Sequence, residues 1–259
     1  MILTEENYFS VEASKEYMSV SQYKSFKKCE AAALAEVNGE YQRKTTPALL
    51  VGSYVDAHFS KCLDIFKAQH SEIFMKSGEL KSEYRAADGI IQRIERDEMM
   101  MEYLSGEPQI IKTGEIFGVQ FKIKMDSYHK EKSIVDLKVM RDFEPKYVEG
   151  KGKLSFIEAW GYDLQGAIYQ SVEGNKLPFY IAAATKEDVP DIGIFHVPQE
   201  YLDLQMEDVR ENVIRYYAIK NGDIEPTRCE HCDYCKHTKV LTRVIDLNEL
   251  QWGVQEDDE

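Results

Sequence analysis

Asp126 in the run "GVQFKIKMD", with Asp136 and Lys138 in "SIVDLKVMRD", are of the residue types that work on phosphate esters, provided folding brings them to one place. In the second run Ser133, Val135, Leu137 and Val139 fall on one face of an extended strand, and Ile134, Asp136 and Lys138 on the other, because side chains alternate with a period of two. The first run alternates likewise, Val119, Phe121, Ile123 and Met125 against Gln120, Lys122, Lys124 and Asp126. A hairpin turning near Glu131 joins the two and sets Asp126 roughly opposite Asp136. Like charges opposed across strands destabilise a sheet. A divalent cation offsets them, and Mg2+ or Mn2+ suits one or two carboxylates together with water and phosphate oxygens. Such an ion would polarise a phosphate and lower the pKa of a water. Lys138, pointing into the same space, would steady the charge that develops in an in-line displacement. Taken alone, the hairpin also fits a solvated outer face with a weak ion pair.

A second group is made of thiols. Cys229, Cys232 and Cys235 stand at the spacing C-x2-C-x2-C, which can wrap three thiolates around one centre and leaves a fourth ligand to be found. Five cysteines in a chain of 259 residues suit reduced thiolates on a metal better than a disulfide framework. Cys62 falls in an apolar helix stripe and is expected in the core. The run "EGKGKLS" resembles a phosphate loop only faintly. Leu154 stands where Ser or Thr should hold magnesium, and no glycine lies five before Gly152, so ATP hydrolysis is not indicated.

Together these runs resemble a known family. Asp126, nine intervening residues and then Asp136-Leu137-Lys138 resemble the signature of the PD-(D/E)XK nucleases. Gln165 and Tyr169 in "GYDLQGAIY" resemble the Gln-x-x-x-Tyr helix motif of the RecB-like branch; they share a helical face with Gly161, beside an expected core stripe of Trp160, Leu164 and Ile168. "SVSQYKSFKKCE" is similar to the Ser-rich N-terminal helix of that branch with its cysteine, and "ALLVGSYVDAHF" to its Gly-x-x-x-His helix. In the latter Asp56, not histidine, stands four residues after Gly52. His58 lies about 200° farther round at roughly 100° per residue, so Asp56 is expected to face the metal and His58 to be packed or solvated. Glu115 in "TGEIFGVQF" matches an acid that opens the motif strand in some members.

The resemblance covers about residues 19–240 and is greatest to phage and prophage RecE-like exonucleases. It implies an α/β, restriction-endonuclease-like fold, a mixed β-sheet flanked by helices. It implies a Mg2+- or Mn2+-dependent exodeoxyribonuclease that resects linear duplex DNA ends in phage-type recombination, beside a single-strand annealing protein. A homo-oligomer is among the assemblies it allows. The implied metal ligands are Asp56, Glu115, Asp126, Asp136 and the main-chain carbonyl of Leu137, with Gln165 and Tyr169 touching DNA or orienting the site. Iron-sulfur members combine one remote N-terminal cysteine with three near the C-terminus, which implies that Cys29 joins Cys229, Cys232 and Cys235 around a [4Fe-4S] cluster. The spacing after the second cysteine is narrower here than in those members. Zinc completed by Cys29, His231 or His237, and free thiols, stay open beside it.

The elements that must position these groups are set by periodicity and capping. A helix is predicted over 21–38, opened by serine, closed by Asn38-Gly39 and apolar along Tyr23, Phe26 and Leu34. A second opens at Thr46-Pro47 and runs to about Gln69, with Leu50, Val51, Tyr54, Val55, Phe59, Cys62 and Phe66 as its stripe. A more polar helix is predicted over 79–104, then the hairpin, then a helix over 155–173 ended by Gly174-Asn175. The strands "FYIAAAT" and "IGIFHV" and a helix over 199–220 lead to the cysteines, and the tail "EDDE" is expected to be frayed.

At 43% hydrophobic content the chain can build one domain over 1–259 with a Cys-rich segment at 226–243. No run approaches 18 apolar residues, and acids appear within the first six positions, so no spanning helix or signal peptide is expected. The location expected is cytoplasmic, by the resemblance in a bacterial host cell. A net charge of -14 argues against whole-surface nucleic-acid binding, but residues 112–153 hold ten Lys or Arg against seven acids, so a polyanion would meet a local basic groove. Against the nuclease stand two other readings: a non-catalytic DNA-binding module, and a zinc-stabilised protein-interaction module, each on the same fold.

Overall fold

The alternating runs become the middle of a five-stranded mixed sheet in the computed structural model, which describes residues 1–248; the tail "EDDE" lies outside the described residues. Its strands are β1 (Glu107–Ile116), β2 (Val119–His129), β3 (Ser133–Met140), β6 (Phe179–Thr185) and β7 (Ile192–Val197), in the order β1-β2-β3-β6-β7. Only β3 and β6 run parallel. Between them in sequence, β4 (Lys146–Val148) and β5 (Gly152–Leu154) form a small separate hairpin. Strand β1 is not among the elements expected from the sequence. Its run "EPQIIKTGEI" has no clean alternation, and it is a strand because it pairs with β2 almost along its whole length.

Helices cover both faces. The α2 (Val20–Lys28), α9 (Tyr162–Glu173) and α10 (Gln199–Asn221) helices pack with Phe121, Ile123, Met125, Ile134 and Phe179 in one core. The α4 (Pro47–Phe59) and α6 (Ala86–Glu95) helices pack with Val135, Leu137, Ala182 and Ala184 in the other. This is the α/β sheet flanked by helices that the resemblance implies. Among the described residues no helix is long and apolar enough to cross a membrane.

The helix predicted over 199–220 forms unbroken as α10, whereas the other four long predicted helices are interrupted, and the breaks have local causes. Cys29, extended at φ -164°, separates α2 from α3 (Glu30–Val37). Lys61 at φ 59° stands between α4 and α5 (Leu63–Gln69). Between α6 and α7 (Glu98–Tyr103), Asp97 accepts the Met100 N–H at 2.9 Å and restarts the helix. Gly161 at φ 63° separates α8 (Phe156–Ala159) from α9, and Trp160, expected in a core stripe, is 55% exposed there. Apolar periodicity runs across such breaks because both halves face the same core. A short α1 (Val11–Glu16) and α11 (Asp233–His237) complete the helices used below.

The sheet forks at its centre. Strands β2 and β3 share the pairs His129↔Ser133, Tyr128↔Ile134 and Ser127↔Val135, and no further pair is formed. Beyond the fork β3 stays registered with β6 as far as Met140↔Thr185. The freed edge of β2 is taken by Met18, whose N–H donates to the Gln120 carbonyl and whose carbonyl accepts from Lys122 N–H, both at 2.8 Å. Helix α9 lies close over the sheet through Gly166, where a Cβ would fall 2.4 Å from the Phe179 ring.

At the end of α9 the buried Glu173 accepts from Tyr128 (2.8 Å), Lys112 (3.0 Å), and the main chain and side chain of Asn175 (2.9 and 3.0 Å). Burial opposes its charge, but these donors outweigh burial and pull its pKa from 4.5 to about 2. A depressed carboxyl stabilises the fold above its unfolded pKa, and that stabilisation fades as pH falls toward the folded value. Glu173→Gln is therefore expected to melt below wild type at pH 7, with the gap closing between about 4.5 and about 2 in thermal melts across pH.

Candidate active site

The fork holds the two predicted carboxylates. Where the β2–β3 ladder stops, Asp126 Oδ2 accepts the Leu137 main-chain N–H at 3.0 Å, so a side chain takes the donor that a strand partner would have met. On the other side of β2 the β1 ladder opens at the same level, between Pro108↔Ser127 and Ile110↔Met125. There Gln109, at φ 55°, turns its amide to Ser60 Oγ (2.6 Å) and to Asp126 Oδ1 (3.4 Å). Asp136 is 1% exposed; its Oδ1 accepts from Gln165 Nε2 at 2.6 Å, and its Oδ2 is met by the Lys138 ammonium as an ion pair.

Gln165 and Tyr169 therefore project from α9 onto the two arms of the fork. Gln165 holds Asp136 of β3, and the Tyr169 hydroxyl donates to the Lys124 carbonyl of β2 at 2.8 Å. Asp56 of α4 faces the same cavity, its Oδ1 accepting from Ser60 at 3.3 Å. His58 turns away to Glu95 at 2.8 Å. Glu115 is not brought in: it is exposed on β1 and accepts from Gln120 at 3.2 Å. Leu137 lines the cavity, with its N–H committed to Asp126.

The electrostatics are those of a site arranged for a cation. Burial, reinforced by the neighbouring Asp136 and Asp56, pushes the Asp126 carboxyl well above the usual carboxylate range. Burial likewise raises Asp56, against the pull of Lys124 and Lys138. Burial disfavours the Lys138 ammonium, but Asp136 and Asp126 more than offset it, so Lys138 is held charged. Three acids facing one space, two of them disfavoured as anions by burial, are a donor set that fits a divalent ion. The cavity measures about 560 Å³, and besides Lys138 its wall carries Lys24, Lys122, Lys124 and Lys186. Burial, with Lys138 nearby, brings the Lys24 pKa down to about 8.

Sequence reasoning missed Gln109, Lys24 and Tyr8, whose backbone carbonyl accepts from the buried Lys122 at 2.5 Å. Lys24 was legible as a polar position on a helix already singled out, opposite its apolar side. Gln109 and Tyr8 carry no local signal, since their places depend on where β1 and the N-terminal segment cross β2.

The thiols form a separate group. Cys29, placed by the α2–α3 break, lies 3.5 Å from Cys235, and all four sulfurs of Cys29, Cys229, Cys232 and Cys235 lie within 4.8 Å of one another. Main-chain N–H groups of Cys232 and Cys235 point at the sulfurs of Cys229 and Cys232 at 3.3 and 3.4 Å. The His231 main-chain N–H is the chief cause that brings Cys229 down to about 6, while burial raises Cys232 to about 12. The donor set fits a metal. His231 instead meets the Cys229 carbonyl at 2.6 Å, and His237 is exposed. Glu30 fixes the same region, accepting from Arg215 at 2.7 and 2.9 Å and from Thr227 at 2.8 and 2.7 Å. Cys62 is half-buried at the start of α5, packed against the second core.

Three acids crowded around one lysine should cost stability when no cation is bound. Asp126→Asn keeps an acceptor for the Leu137 N–H and removes one of the crowded carboxylates. In chelator at pH 7 this variant is expected to melt above wild type. A gain of about 1 kcal/mol would appear as roughly 2–4 °C by calorimetry.

Comparison with known proteins agrees with this fold. Residues 19–238 match the family model described as "PDDEXK-like domain of unknown function (DUF3799)". A crystal structure from Eubacterium rectale, named "Putative exonuclease", is 49% identical and superposes with a TM-score of 0.94, covering 98% of this chain and 100% of that one. No curated protein matches the chain. The match over most of the chain, on a sheet that forks at Asp126 and Asp136, shows that it belongs to the PDDEXK-like DUF3799 family, within the PD-(D/E)XK nuclease superfamily.

Proposed function

We propose that this protein is a divalent-cation-dependent nuclease that shortens linear duplex DNA from an end. One observation carries the reading: Asp126 and Asp136 stand on the two arms of the fork beside a lysine held charged, in a cavity whose wall also carries Asp56 and four further lysines. Asp56, Asp126, Asp136 and the Leu137 carbonyl would hold Mg2+ or Mn2+, which supplies Lewis-acid polarisation of a phosphate. Lys138 donates to the phosphate oxygen on which charge builds, and its ammonium is available at neutral pH because the two carboxylates keep it protonated. Lys24, Lys124 and Lys186 hold neighbouring phosphates. Gln165 and Tyr169 are positioning residues, one fixing the Asp136 carboxylate and the other tying α9 to β2. The exonuclease name of the Eubacterium rectale relative favours attack from an end, and the RecE-like resemblance favours a role in phage-type recombination beside an annealing protein.

The thiol centre reads as structural and as a zinc site. A Zn–S bond of about 2.3 Å sets tetrahedral sulfurs about 3.8 Å apart. The Cys29–Cys235 and Cys229–Cys235 separations are 3.5 and 3.9 Å. An iron-sulfur cube places each thiolate on a different iron and holds the four farther apart, so the observed spacing favours one ion over the implied [4Fe-4S] cluster.

End-labelled linear duplex incubated with Mg2+ is expected to shorten, and Asp136→Ala or Lys138→Ala to abolish the loss while circular dichroism stays native. Undiminished cleavage by those variants would defeat the assignment. Gln165→Ala should lower kcat by about 10- to 100-fold with little change in Tm, as expected when a carboxylate loses its orienting partner. Metal analysis of the purified protein should give one zinc per chain without brown colour, and Cys29→Ser should lose it and melt several degrees lower. Four irons per chain would restore the cluster.

A further inference from the structure

Among the described residues, Phe9 is the one aromatic side chain of the cavity wall that the fold leaves largely uncovered. The residue is 76% exposed, whereas the adjoining Tyr8 is buried and meets its ring edge to face at 5.0 Å. A single exposed apolar side chain is ordinary on a protein surface. Here three further facts distinguish it.

The backbone that carries Phe9 is fixed. Lys122, buried under the segment, donates to the Tyr8 carbonyl at 2.5 Å, and on the other side Ser10 caps α1 by accepting the Ala13 N–H at 3.1 Å. The ring also has a cation beside it, Lys124 Nζ standing 5.0 Å from its centroid. Finally, it opens onto the same cavity as Asp126, Asp136 and Lys138. A flat apolar surface, carried on a fixed backbone and bordered by an ammonium, matches the chemistry of a nucleobase whose phosphate lies close by.

Inside a duplex every base has both faces covered by its neighbours. Only the last base pair has a free face. An aromatic ring at the mouth of the cavity can therefore stack on an end without unstacking anything, but on continuous DNA only by opening a step, which costs energy. Resting on the nuclease reading above, we infer that Phe9 is the residue that recognises the DNA end: its ring stacks on the terminal base pair while Lys124 meets the adjoining phosphate, and this seats the terminal strand at the fork.

The test compares two labelled DNAs of equal length by fluorescence anisotropy with Ca2+ in place of Mg2+, a blunt-ended hairpin and a closed dumbbell that has no end. Wild type is expected to prefer the hairpin. Phe9→Ala should weaken hairpin binding about tenfold, in keeping with the loss of one base–aromatic stack, and leave dumbbell binding unchanged; Phe9→Trp should keep the preference. Phe9→Ala binding the hairpin as wild type does, or losing both DNAs equally, overturns the inference. Because the readout is binding, it stands apart from catalysis. Absence of Mg2+-dependent digestion with the end preference intact would remove the nuclease reading and keep Phe9, and wild type binding neither DNA would remove both.

Discussion

The hydrogen bond from the Leu137 N–H to Asp126 Oδ2 is where the sheet divides. Two strands cannot part inside a protein without stranding main-chain donors, and an unmet buried donor is costly. By supplying a carboxylate in place of a strand carbonyl, Asp126 lets β2 and β3 diverge and keeps the donor met. The rest of the site depends on that divergence. The gap admits Gln165 from α9 to Asp136, and the freed edge of β2 recruits Met18. Met18 in turn draws the N-terminal segment over the strand, so that Lys122, polar by pattern, ends beneath Tyr8 as a buried donor to its carbonyl.

Two buried acids show how differently this fold treats charge. Glu173 is surrounded by four donors and is held ionised. Asp126 shares its space with Asp136 and Asp56 and resists ionisation, although Leu137 and Lys138 pull the other way. The first arrangement stabilises the fold by itself. The second leaves acids crowded together and would be relieved by a bound positive ion, which is the pattern expected where binding, not folding, has set the choice of residues.

Much of this was legible in the runs of residues. Asp126, Asp136 and Lys138 could be placed together because a strand has a fixed period and a hairpin fixes which positions meet. Gln165 and Tyr169, like Cys29, came from a resemblance, the helical turn placing the first two on one face. What stayed hidden is of another kind. The breaks at Cys29, Lys61, Asp97 and Gly161 leave apolar periodicity intact, so pattern alone joins the halves. Strand β1, with Gln109 in it, exists through pairing with β2, and Tyr8 reaches the cavity only because Met18 docks on a freed edge. Glu115 shows the converse: a strand position can match a motif and still face water when the neighbouring strand presents that side to solvent.

The thiol centre also has a meaning for the order in which the molecule is completed. Asp126, Asp136, Lys138, Gln165 and Tyr169 are near neighbours in the chain, whereas Cys29 meets a cysteine 206 positions away. Closing so long a loop is entropically the slower task, and a ribosome delivers Cys229, Cys232 and Cys235 long after the residues of the fork. Until then Cys29 waits at the tip of α2, the same helix that brings Lys24 to the cavity wall. One wall of the cavity thus becomes anchored only after the cysteine-rich segment has followed the fork out, so a product cut short between the two would carry the acidic fork without the fastening that holds its surroundings in place.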